Sequence, residues 1–363
     1  MTFVVVGTPG DRRPALFAAA CRSSGLPEPR LVPWTDVLRG KEIDLRPGDL
    51  LRIDSPGEDR AADALLRGPG EPARVGGGAR WHRTFTTALD RLSAAASVAG
   101  ARLLGDIDEI GVMFDKRRAH ARLLSAGVPV PPALPQVDGY ATLRSRMDEA
   151  GERRVFVKPA HGSSASGVVA LQTAPGGAGP GRVRAVTSAF MTGEGLFNSL
   201  RVRSYKTESE VAALIDALAP DGLHVERWLP KGTVGGRVFD LRVVVIGGEP
   251  THAVVRTSRH PMTNLHLGGA RGDLAAVQRA LGETGWQRAL DVCARAAACF
   301  PGSLMVGVDL LVGQGMRRLA VCEVNAFGDL LPGLTGLAGG SAEGLDTYAA
   351  QIRAALSLSP CTT

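Results

Sequence analysis

The segment LMVGVDLLVGQGMRRLAVCEVN, residues 304–325, carries more information than any other part of the chain. Two apolar runs flank a Gly-Gln-Gly turn, so the segment is expected to fold back on itself as a β-hairpin. With the turn near residues 314–315, Asp309 falls opposite residues 321–323. Side chains alternate across a strand, so Glu323 and Asn325 share a face. Three oxygen donors then converge at one end of otherwise apolar strands. Hard oxygen ligands without His or Cys suit Mg2+, which also takes phosphate oxygens and water. A surface hairpin end, where Asp and Asn act as turn formers, is the alternative. Glu323 sits between apolar neighbours, however, and an unpaired carboxylate there is costly, which favours a bound cation.

A second stretch, VFVKPAHGSSASGV (residues 155–168), runs three apolar residues into Lys158 and then into a loop of Gly, Ser and Ala. Between the strands RVFVKP and GVVALQ, such a loop can turn backbone N–H groups and hydroxyls toward a polyphosphate, because no side chain obstructs the approach. Lys158 would add a compact charge to the same phosphates. Taken alone, an ordinary hairpin turn explains these residues equally well.

Bulk properties narrow the function. A chain of 363 residues exceeds one simple core, and two or three packed units are expected. Hydrophobic content of 44% and charged content of 21% are ordinary for a soluble globular protein. No run approaches the length of a membrane span, and no basic stretch precedes the first apolar run as in a secretory signal. Cys21, Cys293, Cys299, Cys322 and Cys361 form no CxxC pair; the odd count fits reduced thiols in a cytoplasm and argues against structural zinc. The net charge of +6 is built from 37 Arg and only 5 Lys. Where Arg supplies the generic positive charge, Lys41, Lys116, Lys158, Lys206 and Lys231 carry information. The mild positive charge favours an anionic ligand: a nucleotide, phosphate or an acidic substrate. With no basic run, and with three Tyr and ten Phe, nucleic acid is disfavoured.

Along the chain, TFVVVG, PALFAAACRSSG, RLVPW and GDLLRID read as a β-α-β-β start, giving a parallel three-layer domain to about residue 110. Residues 67–81, rich in Pro and Gly, read as a surface loop. GTPGDRR lacks the GK[ST] ending of a P-loop, and no GxGxxG follows the first strand. DKRRAHARLLSAG reads as a helix, PGGAGPG (175–181) as a turn, and the runs RVRAVTSAF and SLRVRSY as strands. HVERWLP comes next, then FDLRVVVIGGEPTHAVVR as a hairpin and WQRALDVCARAAACF as an amphipathic helix. No GxSxG, no HExxH and no internal repeat is present.

Lys116 on a helix, Lys158 before a Gly/Ser loop, VERWL, and the ordered set Asp309, Glu323, Asn325 together resemble the ATP-grasp superfamily of carboxylate–amine ligases. The resemblance spans roughly residues 112–355, and DLRVVVIGG…AVVR…NLHLGG looks most like the ribosomal-protein glutamate ligase and peptide-modifying branch. It implies an α/β and α+β architecture: an N-terminal Rossmann-like domain (1–111), a central lid subdomain (112–205) and a C-terminal subdomain with the metal site (206–363). It also implies ATP and Mg2+ as cofactors and assigns roles by position. Lys116 and Lys158 would hold the α- and β-phosphates. The loop of His161, Gly162, Ser163, Ser164 and Gly167 would close over the β- and γ-phosphates. Glu226, Arg227, Trp228 and Leu229 would form the adenine edge, through backbone groups and the Glu226 carboxylate, although Trp228 reads equally well as core. Asp309, Glu323 and Asn325 would bind Mg2+. Arg256 would meet the transferring phosphoryl, with Arg242, Asp240 and Asn264 lining the same cleft; plain ion pairing is the other reading of both arginines.

The implied reaction is an ADP-forming carbon–nitrogen ligation between a carboxylate and an amine, each a small molecule or a peptide. The Arg-rich loops suggest an acidic or peptide substrate. Arg259 and His260 fall near the expected substrate mouth; His260 and His266 read as proton shuttles or as surface residues. An ATP-grasp kinase, and a non-catalytic nucleotide- or partner-binding protein of the same fold, are the alternatives. The sequence leaves the substrates and the oligomeric state open, a homodimer included.

Overall fold

A computed structural model describes residues 2–57, 59–162, 165–174, 182–328 and 330–358. Three sheets organise them. The first is parallel, in the order β2-β1-β3-β4, with β1 at Phe3–Gly7, β2 at Arg30–Pro33, β3 at Leu50–Ile53 and β4 at Arg102–Leu103. The connecting helices are α1 (Arg12–Ser23), α2 (Trp34–Leu38), α3 (Arg60–Arg67) and α4 (Gly78–Ala99), followed by α5 (Ile107–Met113). β1 is buried along its whole length, as expected of a central parallel strand covered on both faces. The Asp11 side chain caps α1, and Gly100, at φ 68°, closes α4.

The second sheet is antiparallel, in the order β8-β7-β6-β5-β9. After α6 (Lys116–Ser125) and α7 (Tyr140–Glu149) come β5 (Arg154–Pro159), β6 (Val169–Thr173), β7 (Val183–Thr192), β8 (Gly195–Tyr205), α8 (Glu208–Leu218) and β9 (Leu223–Arg227). Val155, Val157, Leu171 and Val225 face α7 and α8 and form a core of their own. Two sequence expectations are corrected here. The boundary placed after residue 205 cuts this layer, because α8 fills its core and β9 pairs with β5, so the lid runs to Arg227. α6 does not belong to the lid: Ala119 and Leu123 are buried in the large core beneath the third sheet. The expected turn at 175–181 lies outside the described residues.

The third sheet runs β13-β12-β11-β14-β15, with β10 on β11. Its strands are β10 (Thr233–Val234), β11 (Arg237–Ile246), β12 (Glu249–Ser258), β13 (Ala270–Arg271), β14 (Met305–Val312) and β15 (Leu319–Asn325). Gly247 and Gly248, both at positive φ, make the tight turn between β11 and β12 that other residues resist. α9 (Leu274–Ala298) covers one face, and α10 (Thr347–Ser357) returns to pack Tyr348 and Ile352 against Phe3 and Phe17. One continuous core joins Val4 and Leu51 of the first sheet, Phe85 and Leu89 of α4, and Leu241, Val243, Val308 and Leu310 of the third. No described helix is long and apolar enough to cross a membrane.

The stretch 67–81 is not a plain surface loop. α4 begins at Gly78, and Arg74 bridges to Phe197 of β8, with Val75 buried. Cys21, Cys293, Cys299 and Cys322 are free thiols; Cys361 lies outside the described residues.

Candidate active site

The third sheet sorts its side chains by face. On β11, Phe239, Leu241 and Val243 enter the core, which leaves Asp240 and Arg242 on the opposite face. On β14, Val308 and Leu310 enter the core and Asp309 opposes them. β15 contains an irregularity that matters more than any single contact. Asp309 pairs with Glu323, but Leu310 pairs with Val321, so Cys322 is an extra residue in the ladder. This bulge places Cys322 and Glu323 together on the site face and returns Val324 to the core. Arg242, Asp309 and Glu323 thereby form one cross-strand row over β11, β14 and β15, with Asn325 opposite Gly307 one step further on. Asp309 and Glu323 stand opposite each other within the expected window of 321–323, and the bulge sets their register.

The lid sheet faces this row with its own polar side chains. Val155, Val157 and Val225 point to the lid core, so Phe156, Lys158, His224 and Glu226 point the other way. Lys158 Nζ lies 2.6 Å from Glu226 Oε1, and both side chains are almost fully buried. The same ammonium donates to Cys322 Sγ at 3.4 Å, and His224 Nε2 lies 3.1 Å from Glu226 Oε2. Burial alone would raise the Glu226 carboxyl; the Lys158 charge and the His224 hydrogen bond outweigh it and bring it down to about 2. Burial likewise opposes the Lys158 charge, and the adjoining Glu226 carboxylate outweighs it, so the lysine stays ammonium. Burial pushes the Cys322 thiol up to about 11, keeping it protonated at neutral pH.

Two further clusters complete the site. Lys116 Nζ contacts Glu323 Oε1 at 2.8 Å and donates to Gly162 O at 2.5 Å. Asp309 takes Arg242 on both oxygens and also meets Arg256 Nη2 at 3.1 Å. Arg256 Nε donates to Asp240 Oδ1 at 2.8 Å, and Lys231 Nζ donates to Asp240 Oδ2 and to Thr263 Oγ1, each at 2.8 Å. Thr263 also donates to Asp240. Burial would raise both aspartates, but the adjoining cations hold them well below the usual carboxylate range. Five cations (Lys116, Lys158, Lys231, Arg242, Arg256) thus share four carboxylates (Glu226, Asp240, Asp309, Glu323) between two sheets.

Several of the roles expected from the sequence change in detail. Glu323 is not an unpaired carboxylate, since Lys116 is its counter-ion. The Glu226 carboxylate is held by Lys158 and His224 and is not a free adenine acceptor. The amides of Arg227 and Trp228 already bond to Pro132 O and Arg154 O, which moves any free main-chain edge toward Leu229. Trp228 packs its ring on Phe156, with centroids 5.2 Å apart, beside Met262 and Leu267. His161 turns away from the loop: its Nε2 lies 3.0 Å from Asp115 Oδ2 and its ring stacks on His82 at 4.2 Å. Asp240 is buried and is held by Lys231, Arg256 and Thr263. Gly162 and Gly167 sit at the two ends of the loop; Ser163 and Ser164 lie outside the described residues. Asn264 is half-buried, and its carbonyl accepts the Leu267 and Gly269 amides. Arg259 and His260 are exposed, and the His266 side chain lies outside the described part.

Lys231 was missed as a site residue, although the scarcity of lysine already marked it. The expected set of Asp309, Glu323 and Asn325 would suit a hard dication in chemistry, being two carboxylates and an amide oxygen on adjacent strands. Among the described residues, no three His, Cys, Asp or Glu side chains converge to hold a metal ion.

No protein-family model matches the chain, and no curated protein sequence matches it. Solved structures do. The D-cycloserine synthetase DcsG is 18% identical, with a TM-score of 0.54 over 89% of this chain and 91% of its own. The ATP-grasp ligase PsnB, complexed with minimal precursor, Mg and ADP, is 18% identical, with a TM-score of 0.52 over 98% and 97% of the two chains. An N5-carboxyaminoimidazole synthase from Aspergillus clavatus, in complex with ADP and its ribonucleotide, is 14% identical with a TM-score of 0.54, over 99% of this chain and 77% of that one. These similarities extend over 89% or more of this chain, through the parallel α/β domain and the two antiparallel sheets: the chain has the ATP-grasp fold.

Proposed function

We propose that the protein is an ATP-dependent ligase that joins a carboxylate to an amine. The observation that carries this reading is the composition of the cleft: lysines and arginines held by carboxylates between two sheets, with no nucleophile–base pair among the described residues. Phosphoryl transfer needs positioning and charge neutralisation more than a side-chain base. A substrate carboxylate oxygen would attack the γ-phosphorus of ATP, the bond from that phosphorus to the β–γ bridging oxygen would break, and ADP would leave. The amine would then attack the acyl carbon, release phosphate with the electron pair of the C–O bond, and lose a proton to solvent.

Lys158 and Lys116 would hold phosphates from the lid side and the α6 side, and Leu229 would offer the adenine edge. Arg242 and Arg256 lie beside Asp309, where the developing charge of the transferred phosphoryl group would be met. Asp309, Glu323 and Asn325 would hold Mg2+, which when bound neutralises phosphate charge. With the metal held there, Glu323 and Asp309 would free their present cations, Lys116 and an arginine, for the phosphates. Arg271, in register with Arg256, and exposed Arg259 give the mouth a positive lining suited to an acidic or peptide substrate.

ADP release, followed while acidic amino acids, dicarboxylates and peptides are paired with amines, tests the proposal. Release that requires both a carboxylate and an amine supports it. ATP turnover indifferent to every acid supplied would count against it.

A further inference from the structure

The Pro- and Gly-rich segment between α3 and α4 lies against both ends of the phosphate-loop region, and a role for it there rests on the nucleotide site proposed for the cleft. At one end, Gly78 approaches His161 so closely that a Cβ on it would stand 2.7 Å from the His161 carbonyl oxygen. At the other end, a Cβ on Gly167 would lie 2.6 Å from Val75 Cγ1, so the Val75 side chain rests directly on that glycine. Gly167 has φ +69°, a conformation other residues resist, and the closeness of Val75 adds a second reason for glycine there.

The segment is itself tied down. Val75 N donates to Leu196 O at 2.9 Å and Asn198 N to Ala73 O at 2.7 Å, which adds a short strand to the edge of β8. Val75 is 9% exposed and belongs to the lid core with Leu196 and Leu218. Asp221, from the lid, accepts Gly77 N at 2.6 Å and Ala79 N at 3.1 Å at the start of α4. Arg67 donates to the carbonyls of Arg74 and Gly76, fixing the segment from the α3 side. One turn into α4, His82 stacks on His161, whose other contact is Asp115, the cap of α6. Lys116 N bonds Ala160 O, so the lysine and the loop base share this anchorage.

From these contacts we infer that residues 73–79, clasped by Asp221, form a strap that positions the loop ends Ala160–Gly162 and Ala165–Gly167 for nucleotide phosphates. The strap touches no expected ligand; it acts through the loop and links the lid to the N-terminal domain. Its residues are positioning residues.

The test uses the full chain and the variants Val75→Ala and Asp221→Asn. Val292→Ala, a core truncation beneath the third sheet, serves as the stability-matched control. In nucleotide-free protein, amide exchange over residues 157–169 is expected to accelerate about tenfold in both strap variants and to stay at the wild-type rate in the control. Calorimetry with MgATP is expected to show affinity weakened about tenfold in the strap variants, at melting temperatures like that of the control, whose affinity stays wild-type. Unchanged exchange over 157–169 in both strap variants overturns the strap, as does an equal loss of affinity in the control. Wild-type protein that binds no ATP overturns the ligase reading instead, and exchange alone then decides the strap.

Discussion

Lys158 and Lys116 answer to carboxylates in different surroundings, and their replacement should separate stability from chemistry. The Lys158–Glu226 pair has side chains only 8% and 2% exposed. Lys158→Ala strands a buried carboxylate, expected to cost about 3–5 kcal/mol and to remove ATP binding. The Lys116–Glu323 pair is more open, at 12% and 30%. Lys116→Ala should cost no more than about 1 kcal/mol while turnover collapses. Thermal unfolding of the two variants beside their ATP affinities checks the contrast; equal stability losses would contradict it.

The buried histidines and Glu226 also fix a pH dependence. Burial pulls the His82, His224 and His252 rings below their ordinary value of 6.5, so the fold favours the neutral rings. Their contribution is complete above that value and is lost as pH falls through the lowered ones. Glu226 behaves likewise further down: its contribution is complete above the ordinary 4.5 and is lost as pH falls toward about 2. Denaturant unfolding should therefore show stability declining from pH 6.5 downward and again below pH 4.5. A stability that rises on acidification through this range would contradict these assignments.

At the level of elements, the β14–β15 hairpin shows how far the sequence could be read. Alternation placed Asp309 opposite 321–323 but could not choose among them, because a bulge does not alter composition. One trace of it was present: Val321 and Val324, both core, are separated by two residues, an interval strict alternation forbids. Deleting Cys322 should restore a regular ladder in which Glu323 still stands opposite Asp309, with Val321 and Val324 still in the core. Stability should fall by only about 1 kcal/mol, and Mg2+-dependent ATP binding should persist. A deletion variant that loses Mg2+-dependent ATP binding would contradict this register. The strap was illegible for a different reason. RGPGEPARVGGG has the composition of a loop, and its strand partner, Phe197, lies far along the chain. Likewise HVER reads as a strand, but nothing local says that it joins β5 and carries Lys158's counter-ion into the lid. Pairs between distant elements, such as Lys116 with Glu323, became visible only with the fold.

Across the whole molecule, the two facing sheets divide the work. The lid supplies Lys158 and the apolar wall of Phe156 and Ala170, which Trp228 adjoins; the third sheet supplies Arg242, Arg256, Asp309 and Glu323. In the ligand-free protein every carboxylate in the cleft is already matched to a cation. In the proposed reading, ligand binding would be an exchange of partners, with phosphates taking the lysines and arginines as the metal takes Asp309 and Glu323. This account is tested most directly by thermal unfolding of wild type and Glu323→Ala with ATP, with and without Mg2+. It predicts a Mg2+-dependent stabilisation of the wild type that is absent in Glu323→Ala, while the two proteins melt within about 2 °C of each other without nucleotide. Stabilisation of equal size in both proteins, or none in the wild type, would contradict it.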